Sequence, residues 1–152
     1  MSTKDQGIAH TTMTPKQNAI VDTACLAMAI DGEVSQVEAE QISRYLSTLL
    51  SVDEDISALL INDSLARLQQ TTVEAFVEEI HTNLKTKEQR EQALTAALMA
   101  GFADGVITVE EEGLFFRLAQ LFEFDEDRMR EVVLHAEHFY NQFAKSLYTP
   151  VN

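Results

Sequence analysis

The sequence predicts an all-α fold, a compact bundle of about seven helices. Three observations carry that expectation. Only two prolines and five glycines interrupt 152 residues, which favours long helices over strands and turns. No segment alternates apolar and polar residues with period two, so no sheet is expected. A short acidic motif also occurs twice. Asp31-Gly32-Glu33-Val34-Ser35-Gln36-Val37-Glu38 returns as Asp104-Gly105-Val106-Ile107-Thr108-Val109-Glu110-Glu111, both of the form D-G-x-[V/I]-[S/T]-x-x-E. The similarity continues downstream, where Leu46 to Asp55 matches Leu118 to Asp127 after a one-residue slip. A repeat of this length predicts an internal duplication of helix-elbow-helix units.

The elements follow from caps and spacing. Residues 1–12 are polar and aperiodic, a flexible N-terminal tail, and 13–148 form a single domain. The first helix opens with Thr14 as cap, Pro15 at its first position and Gln17 closing a capping box. It carries Ile20, Ala24, Ala27 and Met28 and stops at Asp31-Gly32. The second runs from Gln36 to about Leu50, with Ala39, Ile42, Leu46 and Leu49 at helical spacing. Asp53-Glu54-Asp55 opens the third, with a break expected near Asn62. Thr71 and Glu74 frame the fourth. Thr86 with Gln89 caps an alanine-rich fifth, which ends at Asp104-Gly105. The sixth spans Val109 to about Phe122. Asp125 opens the seventh and longest, with a stripe from Met129 to Leu147. Alanine-lined faces before both elbows let those two helices approach closely.

Composition excludes several classes of function. The balance of 25 acidic and 11 basic residues leaves a net charge of −14, a field that repels nucleic acid and attracts cations. The apolar runs at Ala24–Ile30 and Ala96–Ala103 are too short to span a bilayer, so no membrane insertion is expected. No signal-peptide layout begins the chain. The single cysteine, Cys25, excludes an internal disulfide and fits a cytoplasmic location.

The elbow has two readings. As a helix corner, Gly32 and Gly105 take the left-handed conformation that ends a helix. Ser35 and Thr108 cap the next helix, Glu38 and Glu111 reach back to the cap backbone, and Val34 and Ile107 pin the approach angle. Asp31 and Asp104 fit this less well. A carboxylate at a helix C-terminus faces the negative end of the dipole, at a cost of about 0.3–1 kcal/mol. A cation shared by the aspartate and a nearby glutamate removes that cost. The second half of an EF-hand loop looks similar. Its first two ligand positions would fall on Ala27 and Ala29, or on Ala100 and Phe102, so half the shell is absent.

A helix, D-G-x-[I/V]-[S/T]-x-x-E and a second helix, twice in one domain and preceded in the first copy by Ala27-x-Ala29, resembles the TerB-like family, named for tellurite-resistance gene clusters. The resemblance covers about Thr14 to Leu147. It implies a seven-helix bundle with internal pseudo-two-fold symmetry and a divalent-cation site built from shared acidic residues. It also implies a part in stress-response or envelope-associated assemblies. Carried over residue by residue, the metal candidates are Asp31, Glu38, Asp104 and Glu111. Ile30 departs from the pattern, standing where the second copy has the smaller Ala103.

Weaker candidates lose on chemistry. Glu110 and Glu112 suit the positive end of a helix dipole. His135, His138 and Glu131 offer a transition-metal cluster without cysteine support. Glu78-x-x-His81 is half of a di-iron motif whose second half is missing. Cys25 lies mid-helix among apolar residues and suits a buried structural thiol. No phosphate loop or nucleophile elbow occurs. The expectation is therefore a non-enzymatic protein that binds Mg²⁺ or Ca²⁺ at the elbows and engages protein partners. A purely structural interaction module is the alternative, and a carboxylate enzyme of unknown substrate the second.

Overall fold

Ten consecutive side chains, Ala19 to Met28, are buried in the first helix, and nine, Ala93 to Gly101, in the fifth. A helix with no solvated face must sit at the centre of a domain. The computed structural model, which describes residues 13–32, 34–103 and 105–148 (from 143 on as backbone only), places them there. The described residues form helices α1 (Pro15–Ala29), α2 (Gln36–Leu50), α3 (Glu54–Leu68), α4 (Val73–Asn83), α5 (Lys87–Ala103), α6 (Val109–Leu121) and α7 (Glu126–Tyr148). No strand occurs among them. The most extensive helix contact is α1 against α5, with α3 and α4 packed on α1, and α2, α6 and α7 on α5. The fold is all-α, as the composition and spacing imply.

Small side chains make this centre possible. Ala24, Ala27, Ala93, Ala96, Ala97 and Ala100 are all fully buried. They allow close backbone approach, while Leu26, Met28, Leu94 and Met99 fill the remaining space. The outer helices contribute single apolar stripes. Tyr45 of α2 meets Phe139 of α7 edge to face at 5.2 Å, and Phe102 of α5 meets Tyr140 of α7 at 5.7 Å. No helix among the described residues is long and apolar enough to cross a membrane.

The caps account for most boundaries. Thr14 and Gln17 close a full capping box, and Thr86 and Gln89 exchange the same pair of bonds at the start of α5. Asp125 accepts from the Arg128 amide at 2.8 Å and opens α7.

Three details differ from the sequence expectation. The cap of α4 is Thr72, not Thr71, because its hydroxyl accepts the Ala75 amide at 3.0 Å. Asp53 occupies the cap position of α3 without a side-chain cap bond. Helix α3 runs unbroken through Asn62, an exposed position flanked by the buried Leu60, Ile61 and Ser64. Packing outweighs the small propensity cost of one solvated asparagine. The proposed tail, residues 1–12, lies outside the described residues.

Candidate cation site

Each elbow begins where a glycine reverses the backbone hand. Gly32 has φ +93° and Gly105 φ +78°. Their amides return to Ala29 and Phe102 carbonyls at 3.0 and 2.9 Å. The left-handed conformation carries a steric penalty for any residue with a Cβ, so glycine suits both positions.

Beyond the glycine, Ser35 and Thr108 take extended backbone and cap α2 and α6. The Glu38 amide donates to Ser35 Oγ at 3.1 Å, and the Glu111 amide to Thr108 Oγ1 at 3.1 Å. In return Glu38 Oε1 accepts from the Ser35 amide at 3.4 Å, and Glu111 Oε1 from the Thr108 amide at 2.9 Å. Both corners have the same hydrogen-bond pattern. Val34 and Ile107 each keep more than a third of their surface exposed, so their grip on the approach angle is partial.

Burial sets these two glutamates apart from ordinary capping residues. Glu38 is 1% exposed and Glu111 0%. The second carboxylate oxygen of each, Oε2, is buried as well. The boxes at α1 and α5 perform the same capping with Gln17 and Gln89, in exposed surroundings. Glutamine caps nearly as well as glutamate, and burying a carboxylate carries a far larger desolvation cost than burying an amide. A carboxyl group therefore stands at each of the two places where capping alone would least favour one over an amide.

Asp31 is half-buried, in the turn that follows α1. Tyr45 and Leu49 on the second half of α2 line the same cleft as Glu91, Gln92 and Thr95 on the first half of α5. Helix α2 packs on α5, and Glu38 lies in the first turn of α2. Asp104, the remaining candidate, lies outside the described residues. Among the described residues no three His, Cys, Asp or Glu side chains converge tightly enough to hold a metal ion.

The competing clusters do not gather into sites. His135 and His138 are exposed on α7, and Glu78 is exposed on α4. His81 Nε2 lies 3.4 Å from Arg90 Nη2. Glu110 and Glu112 are exposed in the first turn of α6, where they complement the dipole. Cys25 is buried beside α3, its Sγ 3.8 Å from the Ile61 carbonyl oxygen. Burial pushes its thiol up to about 12, so it is no nucleophile near neutral pH.

The sequence reading missed one polar network. Asp22 of α1, 4% exposed, accepts from Ser64 Oγ at 2.7 Å and from Arg67 Nη2 at 2.6 Å. Arg67 also holds Asp63 at 3.1 Å and lies over the Phe76 ring. A charged residue between Val21 and Thr23 in an apolar helix was the available signal. This network ties α1 to α3, with Asp22 buried and the Arg67 side chain 39% exposed.

No curated protein and no solved structure matches the chain significantly. A family model described as tellurite resistance protein TerB matches residues 17–133, which takes in both elbows and all but the ends of the bundle. With most of its length matched, the chain belongs to the TerB family.

Proposed function

We propose that the two elbows bind a hard divalent cation, Mg²⁺ or Ca²⁺, and that the domain acts without catalysis as a cation-dependent partner of other proteins. Asp31, Glu38, Asp104 and Glu111 are the proposed ligands. The observation that carries this reading is the burial of Glu38 and Glu111 in capping boxes, where glutamine serves elsewhere in the same chain. A bound cation offsets the cost of keeping those carboxylates ionised. Oxygen-only donors favour Mg²⁺ or Ca²⁺ over Zn²⁺. Few protein ligands per elbow leave water to complete the shell, which makes the affinity modest. Family membership supports a role in stress response, and the single cysteine supports a cytoplasmic setting.

The closed geometry of both boxes favours a second reading, in which the glutamates only cap helices and the acidic surface docks on a basic partner. Calorimetric titration of the domain with Mg²⁺ and Ca²⁺ separates the two. The cation reading requires saturable binding that the Glu38→Gln/Glu111→Gln variant loses. Absence of binding leaves the capping reading. Tight stoichiometric zinc uptake through His135 and His138 would place the metal site on α7 and contradict the elbow reading.

A further inference from the structure

The outward face of α6 breaks two local rules at once. Gly113 stands in the middle of the helix, and a Cβ built there meets nothing within 4 Å. Nothing among the described residues requires a glycine there, and a helix-interior glycine is unfavourable. One turn on, Phe116 is 67% exposed, and one turn back Val109 is 84% exposed. The core side of α6 is made by Glu111, Leu114, Phe115, Leu118 and Ala119. At 3.6 residues per turn, Val109, Gly113, Phe116 and Gln120 form a straight line directly opposite it. The line presents a ring as a knob and a glycine as a hole, three residues apart.

We propose that this face pairs with the same face of a second copy, α6 against α6 in antiparallel array, to form a two-fold symmetric dimer. A two-fold interface must be self-complementary, with residue i meeting j and j meeting i. Phe116 over the partner's Gly113 satisfies that condition in both directions, and the same register sets Val109 beside the partner's Gln120. Antiparallel helices bring like flanks together. Glu110 and Arg117 lie on one flank, one heptad apart, so each Arg117 meets the Glu110 of the other copy. Both are exposed and of opposite charge. Arg117 Nη1 holds Glu74 at 3.3 Å, and the guanidinium has further N–H groups for a second carboxylate. These two cross-pairs select a second copy of this acidic chain over an unrelated apolar partner.

Sedimentation equilibrium over a concentration series tests the pairing. The average mass is expected to rise toward twice the monomer mass, with a dissociation constant on the order of micromolar. Phe116→Ala removes the knob and Gly113→Leu fills the hole. Each is expected to weaken association by about tenfold or more, with native circular dichroism retained because both positions face solvent. Glu110→Arg and Arg117→Glu alone each weaken it, and the double variant Glu110→Arg/Arg117→Glu restores it. Restoration is specific to the pairing, because the double variant keeps the helix-dipole penalty of the single ones. A monomer at all concentrations, a dimer indifferent to Phe116→Ala, or a charge swap without restoration each overturns the proposal.

Discussion

Asp22 and Cys25 show what burial does to single groups. The Asp22 carboxylate is held by Ser64 and Arg67, and its side chain is almost wholly removed from water. Arg67→Met leaves that carboxylate buried without its counter-charge. Breaking a buried pair costs about 3–5 kcal/mol. Because the Arg67 side chain is 39% exposed, a loss of about 2–3 kcal/mol is expected in urea unfolding. Cys25 makes a pH prediction. Burial raises its thiol from 9.0 to about 12, and burial also raises the Tyr45 hydroxyl. Between pH 9 and 12 the unfolded chain loses the Cys25 proton while the folded chain keeps it, so stability falls as pH rises. Urea midpoints measured across that range should fall, and Cys25→Ala should flatten the slope. At pH 8 a thiol reagent should label Cys25 only after unfolding. The sequence marks Asp22 as a charge in an apolar helix but not its partners, since Ser64 and Arg67 are on a different helix. The burial of Glu38 and Glu111 was equally hidden, because a capping box reads the same on a wet corner as on a dry one.

At the scale of the element, local chemistry was legible where the chain itself supplies the bond. The Thr14, Ser35, Thr86 and Thr108 boxes each close within four residues, and the sequence pattern alone locates them. Thr71 and Thr72 compete for one cap, and spacing alone could not choose between them. Asn62 was expected to break α3 because the buried neighbours that hold the helix together are a tertiary fact. Two helical glycines make a paired prediction with opposite signs. A Cβ on Gly101 would stand 2.9 Å from Cζ of the buried Phe115, so Gly101→Ala forces the ring to move. Overpacking of about 1–3 kcal/mol outweighs the helix-propensity gain, for a net loss of about 1 kcal/mol. Gly113→Ala meets no neighbour and should stabilise the monomer by about 1 kcal/mol. Thermal unfolding of the two variants at low protein concentration checks both signs.

For the whole molecule, two helices buried on every face over Ala19–Met28 and Ala93–Gly101 form the centre, and each leads into an acidic elbow at its C-terminal end. The family match spans both elbows. If those elbows exist to hold a cation, the domain should be more stable with the ion than without it, and the gain should depend on their charges. The direct measurement is the melting temperature of wild type, Glu38→Gln/Glu111→Gln and Asp31→Asn/Asp104→Asn, each with and without millimolar Mg²⁺ or Ca²⁺. Glutamine preserves the capping bonds and asparagine tolerates the turn, so both apo variants should remain folded. The cation should raise the melting temperature of wild type by several degrees and leave both variants unmoved. An identical response in all three proteins, or none in any, would contradict the cation site and leave the elbows as helix corners.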